Sequence, residues 1–577
     1  MIWRSPVTLA SISLISFAVS AIADPVPVAP AQPAGDEEKK AFSLEMVISP
    51  ILKNMAVPMA RPKIIGIRVP VASPSEKARE SVKQGYALVH AQWDFEAYRH
   101  FCIALQEDPD CLMAYAGVAL ALARPHNEYI EFRRAAVDRL LDLLEIDTKR
   151  EQAGQVARFP ALEKEFAAAV ATLVSTSPRG AGKMFFQLGQ DYPQFLQAQL
   201  LAVLLTRDSY DTFGDPSPAQ KQAIATARQL LEKHPDNPMA IGIWLSILAE
   251  APLKSIDMEK EILPYARKLV EIDPSLPSWQ HMLGHFEFRA GNYRPAIEAF
   301  SKSVELYQHW MKEEGVGVND CDGYIKAKCY LANSYYQIGE IDRALEQANT
   351  LRKIKLDPER PRSLGNGMLM WRAYNLPARL YLSRGSAKDI ERAIKSLPDK
   401  EELKAFAKHP QFPTLAGAYN DAIRVYAGCR KAIVKKDLDA ASSMHRDLFL
   451  KHIISLAQVA KGATQASDYS HYLQAGNSLA IYDKELLGLI AMNGPEATRV
   501  VATGRFLSAR DKQLVPSMMM PPYVMRPMDN RLAEAYLQQG KPEDALDAYQ
   551  RGAERFPKNL ESLQGLKATH AVLDKTE

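Results

Sequence analysis

The sequence predicts an all-α protein, a right-handed superhelix of stacked helical hairpins forming an α-solenoid. Apolar residues recur at helical spacing along nearly the whole chain, with breaks at Pro, Gly or Asp-Pro roughly every fifteen to twenty residues. Several stretches repeat the same small residues at the same offsets, the mark of a repeat array. A length of 577 residues also exceeds what one compact core can hold, so the chain either divides into domains or grows by stacking.

The N-terminus comes first. Arg4, an apolar run from Val7 to Val19, and Ala21-Ile22-Ala23 before Asp24 follow the order of a secretory signal, with cleavage expected after Ala23. The run is too short to span a bilayer, and no later segment approaches about 18 uninterrupted apolar residues. The processed chain is therefore expected to be soluble, without a membrane span, and periplasmic or secreted. Residues 24–67 read as a linker, first Pro- and Ala-rich (PVPVAPAQPAG) and then charged, leading into the body. The expected body has an N-terminal superhelix at 68–360, degenerate helical repeats at 361–515, and a C-terminal repeat with a capping helix at 516–577.

The repeat is clearest in three stretches. In WQHMLGHFEFRAGNYRPAIEAF, Leu283 and Gly284 lie in a first helix, Gly291 and Tyr293 at the turn, and Ala296 and Phe300 in a second helix. Leu331, Ala332, Tyr335, Gly339, Ile341 and Ala344 take the matching places in KCYLANSYYQIGEIDRALEQA. Near the end, Leu532, Ala533, Tyr536, Gly540, Ala545, Tyr549 and Pro557 do the same. The small residues let paired helices approach, the aromatic residues fill the space between hairpins, and the turn glycines tolerate a left-handed conformation. One hairpin cannot bury its apolar face alone, so the repeats must stack. A more divergent unit opens the body, with Gly85, Ala97, Phe101, Ala104, Leu105 and Pro109 at the repeat offsets and Gly117 starting the next hairpin. From 361 to 515 the period cannot be phased.

These offsets, at a period of about 34, resemble the tetratricopeptide repeat. The chain further resembles a bacterial family of large tetratricopeptide-repeat proteins, generally exported or of unassigned function. The resemblance rests on the opening unit with its Asp108–Cys111 turn and Ala114, Tyr115 and Gly117, on HMLGHFEFRAGNYRPAI, and on PPYVMRPMDNRLAEAYLQQGKPEDALDAYQRGAERFPKN. Ala116 stands where such proteins often carry tryptophan, and the helix MAIGIWLSIL lacks the histidines often found there. The resemblance implies a fold and a scaffold role, with no reaction attached.

Charge and motifs narrow the function. With 71 basic and 68 acidic residues dispersed along the chain, no electrostatic footprint for nucleic acid exists. The five cysteines, Cys102, Cys111, Cys321, Cys329 and Cys429, are too scattered for a disulfide scaffold. Cys321 and Cys329, on one helix, lie about 12 Å apart along its axis, beyond a disulfide's reach. Cys102 and Cys111 flank a turn and are the one local pair. His281 and His285 have metal-ligand spacing, but Met282 replaces the glutamate base of the zinc-protease motif, and no further ligands are nominated. SPRGAGKM fails as a phosphate loop at Ser177 and Met184, and VNDCDGYIKAKC fails as a calcium loop at Val318 and Cys329. The tract VPSMMMPPYVMRPM at 515–528, apolar and proline-bounded, is a candidate contact surface but reads rather as a connector packed across the last hairpins.

The expected function is an exported scaffold that binds a protein or peptide partner in a concave groove, with no catalysis, cofactor or metal. Gln280, Lys328, Asn333 and Arg531, polar positions on first helices, are the candidate groove-facing residues. The alternative is a metal- or small-ligand-binding protein using the His281/His285 helix.

Overall fold

The computed structural model describes residues 42–574 except 67, 123–126, 176–177, 212–213, 405–411, 462–465, 514–515 and 517–520. The predicted signal and the first part of the linker lie outside the described residues. Among those described there are 26 α-helices and no strand, only an isolated bridge between Tyr210 and Pro216. The chain is an all-α solenoid of stacked hairpins.

The first series pairs α1 (Glu76–His90) with α2 (Asp94–Glu107), α3 (Leu112–Ala121) with α4 (Ile130–Gln152), and α5 (Ala161–Ser175) with α6 (Pro178–Asp191). It continues through α7 (Leu196–Thr206), α8 (Pro218–Lys233), α9 (Pro238–Leu248), α10 (Leu263–Ile272), α11 (Pro277–Arg289), α12 (Tyr293–Glu314), α13 (Asp322–Gln337) and α14 (Ile341–Arg352). Each helix packs on the next, and first helices of successive hairpins also touch, as α1 does α3 and α3 does α5.

The unphased middle is less regular. Helix α15 (Leu364–Met368) runs through a π-helical turn, Leu369–Ala373, towards α16 (Leu376–Arg384), α17 (Ala387–Ser396) and α18 (Lys400–Lys404). Then come α19 (Phe412–Val434), α20 (Leu438–Met444), a second π-helical turn at His445–Phe449, α21 (Leu450–Lys461), α22 (Ala466–Asn493) and α23 (Glu496–Lys512). The array ends with α24 (Met528–Gln538), α25 (Pro542–Arg555) and α26 (Leu560–Leu573).

The small residues work with aromatic wedges. A Cβ on Gly85 would fall 2.5 Å from the Phe101 ring and one on Gly117 2.1 Å from it, so one second-helix aromatic is seated between glycines sixteen residues before and after it. Gly284 meets Phe300, Gly323 meets Tyr307 and Gly565 meets Tyr549 in the same way. The predicted turn glycines Gly291, Gly339 and Gly540 have φ of 73°, 80° and 71°, the left-handed region that a side chain disfavours.

An ideal solenoid repeat touches only its neighbours. This one curls onto itself. Trp93 meets Trp310 edge to face with centroids 4.9 Å apart, and Arg360 reaches back to Glu128. The turn after α25 docks on earlier hairpin turns: Asn559 Nδ2 donates to Gln337 Oε1 at 2.6 Å and Lys558 Nζ to Asn292 Oδ1 at 2.6 Å. A Cβ on Gly291 would lie 2.4 Å from the Pro557 carbonyl oxygen.

Two large hydrophobic cores meet at the π-helical turn Leu369–Ala373. Leu369 and Ala373 belong to the N-terminal core, whereas Met370 and Trp371 belong to the C-terminal one.

Candidate functional site

Helix α11 carries the histidine pair. His285 is fully buried, its Nε2 lies 2.9 Å from the Ala249 carbonyl, and its Nδ1 lies 3.1 Å from the Tyr330 hydroxyl. Burial, then the Arg289 cation, hold the imidazole well below its ordinary pKa, so it is neutral. The carbonyl must receive a proton from Nε2, which leaves Nδ1 to accept from the hydroxyl. Neither nitrogen is left for a metal. Arg289, one helical turn on, donates to the Ala249 carbonyl at 2.6 Å and to that of Ala251. The two residues thus satisfy carbonyls just beyond the C-terminus of α9, where positive charge suits the helix dipole. His281 and His285 both rest edge-on against the Tyr330 ring, at 5.6 and 5.7 Å. Among the described residues no three His, Cys, Asp or Glu side chains gather in a metal-holding group.

The four candidate groove residues are all buried. Gln280 Nε2 donates to the Pro274 carbonyl at 3.1 Å, and Lys328 Nζ to Gln347 Oε1 at 2.9 Å. Asn333 Nδ2 donates to the Cys329 carbonyl of its own helix at 2.9 Å. Arg531 bonds Glu485 at 2.8 Å and Glu534 at 3.0 Å. Each links helices or braces its own. Cys102 and Cys111 are buried free thiols, and burial pushes the Cys111 thiol up to about 12. The phosphate-loop look-alike lies mostly inside α6, with Ser177 outside the described residues. In the connector, Val524 and Met525 are buried, and Gln513 Nε2 donates to the Val524 carbonyl at 3.1 Å.

The structure brings together a cluster that the sequence reading missed. Arg372, in the π-helical turn, and Arg379, on α16, are 3% and 4% exposed. The Arg372 guanidinium carbon lies 4.2 Å from the Trp371 ring centroid and 4.8 Å from that of Tyr523, and Arg379 lies 5.1 Å from Tyr523. Tyr523 comes from the connector and stacks on Trp371 at 5.2 Å, with Tyr419 of α19 edge-on to both. Arg379 is held by Asn375 Oδ1 at 2.8 Å and by the Tyr523 and Arg372 carbonyls at 3.1 Å each. Arg372 donates to Gln474 Oε1, while its Nε and the Tyr523 hydroxyl are buried without a partner. Among the described residues the charged and titratable neighbours that act on Arg372 are Tyr523, Cys329, Arg379 and Tyr419, none of them a carboxylate. Burial pushes Arg372 down to about 10, so it stays cationic at neutral pH. One signal in the sequence marks this place. Residues 364–384, LGNGMLMWRAYNLPARLYLSR, hold three arginines, two of them seven apart, and no acidic residue.

Buried Arg99 and half-buried Arg360, by contrast, are paired with acids. Arg99 donates to Glu96 and Glu314 at 2.6 Å each, and Arg360 holds Asp320 and Glu128 through two-pronged contacts of 2.6 to 2.9 Å. Burial alone would raise the Glu485 carboxyl, but Arg531, Arg430 and the Tyr426 hydroxyl outweigh it and hold it below its usual range.

Stacked hairpins with glycine-seated aromatic wedges and left-handed turn glycines define a helical-repeat protein. More particularly, residues 531–559 match the tetratricopeptide repeat model, so the chain carries that repeat in its C-terminal unit, and the glycine–aromatic construction recurs in earlier hairpins. Similar solved structures include the human IFIT1 dimer with PPP-AAAA (13% identity, covering 89% of this chain and 95% of that one, TM-score 0.33). Others are a monomeric IFIT1 mutant with Gppp-AAAA (12%, 93% and 96%, 0.28) and the APC/C hetero-tetramer Cut9-Hcn1 (11%, 85% and 90%, 0.26). Scores this low carry no conclusion about this chain. No curated protein matches it in sequence.

Proposed function

We propose that this chain is an exported, non-catalytic scaffold that binds a protein or peptide partner along its hairpins. The supporting observation is intramolecular. Residues 42–66 and 68–72 cross the first hairpins as a mostly non-helical strap whose backbone is held by side chains from elements far apart in the array. Tyr98 accepts from the Ser49 amide and donates to the Val47 carbonyl, at 2.8 Å each. Gln84 Oε1 accepts from the Arg61 amide at 2.9 Å, and Glu163 Oε1 from the Ala72 amide at 2.7 Å. Arg99 and Asn237 donate to the Ala56 and Gly66 carbonyls. These contacts read main chain rather than side chains, which is how a repeat surface holds an extended peptide through many modest bonds.

Export is proposed from the N-terminal sequence alone. Among the described residues no helix is long and apolar enough to cross a membrane. The test is affinity purification of the full chain from its native envelope fraction, with mass spectrometry of what accompanies it and of its own N-terminus. Reproducible recovery of one protein at near-stoichiometric amount, and a terminus beginning at Asp24, support the reading. Recovery of no protein together with a stoichiometric bound metal sinks the scaffold, and an intact Met1 in the purified protein sinks export.

A further inference from the structure

We propose that Glu163 of α5 is a proton-gated latch for the strap: protonated, it holds the strap's exit at Ala72 against the first hairpins, and ionised, it lets that end open. This regulation goes beyond the scaffold reading, because it needs no partner and concerns when the strap lies down rather than what replaces it.

Where the strap runs into α1, its backbone has little support of its own. Residues 68–72 belong to no helix, and Pro70 has no amide to donate. Three side chains hold this stretch. Glu163 Oε1 accepts from the Ala72 amide at 2.7 Å, Arg79 Nη1 donates to the Ser73 carbonyl at 2.7 Å, and Asn237 donates to the Gly66 carbonyl. Arg79 stands on α1, only six residues from the carbonyl it holds, so it travels with the stretch. Glu163 and Asn237 are the two that tie it to other hairpins.

Glu163 is badly placed to carry charge. It is 2% exposed, and among the described residues no cation bonds it. Its neighbour Lys164 turns away to Asp147 and Glu151 of α4. The titratable groups that act together with Glu163 are Tyr86 of α1 and Cys111 ahead of α3, both neutral and both made harder to ionise by it. From α4 and α6, which also pack on α5, no titratable group acts on it. A carboxylate here exchanges its water for one amide bond. Burial outweighs that bond and pushes the carboxyl up to about 7.

Opening at Ala72 returns the carboxyl to water and to its ordinary value of 4.5. The closed form therefore binds the proton more tightly. Closure is strongest below pH 4.5, weakens as pH rises to about 7, and then weakens no further, because both forms have lost the proton. Across that window the open fraction grows by about two orders of magnitude. Opening of this kind is local, since it breaks few bonds of the hairpins themselves.

The test is amide hydrogen exchange of the full chain across this pH range, each rate compared with that of unstructured chain at the same pH. Protection at Ala72 should fall about tenfold per pH unit through the window and level off above it, with Ala72 exchanging well ahead of Val170 in the core of α5. Glu163→Gln keeps an oxygen for the Ala72 amide but cannot titrate. Its Ala72 protection should lose the slope and exceed the parent's about a hundredfold at neutral pH. The Ala56 amide, which donates to the Glu314 carbonyl, reports on Glu96 instead, whose carboxyl burial also raises to about 7, and its pH profile should be the same in both proteins. Protection at Ala72 that does not change with pH in the parent overturns the proposal, as does an unaltered slope in Glu163→Gln. If that variant does not fold, the parent alone decides: Ala72 and Val170 exchanging together at every pH means that the strap opens only with the whole fold, and the latch is overturned.

Discussion

Two regions of this molecule bury arginine in opposite ways. Beneath the strap, Arg99 sits between Glu96 and Glu314 and donates to the Ala56 carbonyl, so the cation ties the strap, α2 and α12 into one charge-compensated knot. At the seam, Arg372 and Arg379 sit among tyrosines, a tryptophan and amides, with no acid bonded to either among the described residues. The first arrangement fastens chain segments together and supplies its cation with acids from two helices. The second holds its cations by aromatic faces, an amide oxygen and backbone carbonyls.

That contrast can be broken by a graded set of substitutions. Arg99→Met should have the largest effect: Glu96 and Glu314 lose their cation while buried, at a cost of about 3–5 kcal/mol in chemical denaturation. Glu163→Gln probes the strap by pH. Burial pushes the Glu163 carboxyl up to about 7, so the native protein holds a proton between its unfolded value near 4.5 and pH 7 that the unfolded chain has released. Stability from this group is therefore present at low pH and lost as pH rises through that window. Glutamine does not titrate, so the variant should gain on the parent by about 2–3 kcal/mol between pH 5 and 8, and a constant difference would remove Glu163 as a titrating anchor.

Tyr98→Phe removes the hydroxyl that serves both Val47 and Ser49, for about 1–2 kcal/mol, with faster amide exchange at Ser49 as the local readout. Arg372→Gln should be the mildest, within about 0.5 kcal/mol of the parent or more stable. A loss as large as that of Arg99→Met would erase the distinction between the two regions.

Most of the hairpin construction was legible in the residues. Gly291, Gly339 and Gly540 announced their turns, and Phe300 and Tyr549 announced the wedges, because both depend on neighbours within one or two hairpins. The burial of the groove candidates was not legible, for a reason of distance. Helical offset tells which face of its own hairpin Arg531 occupies, but Glu485, forty-six residues earlier, decides that the face is covered. The histidine spacing did place two imidazoles on one side of α11, yet their partners, Tyr330 and the Ala249 carbonyl, come from other hairpins. The middle resisted phasing because α22 runs for 28 residues and two π-helical turns shift the apolar stripe. The seam cluster left its mark as an acid-free stretch with three arginines, which becomes meaningful once burial of Arg372 and Arg379 is known.

The docking of Pro557, Lys558 and Asn559 on the turns at Gly291 and Gly339 sets a count as well as a contact. An open array can gain or lose a hairpin by duplication and merely become longer or shorter. Here the segment between residues 340 and 556 must leave one turn and return to its neighbour, so an added hairpin would rotate the returning end away from its dock. The protein has given up modular growth, and its repeat number is part of its tertiary structure.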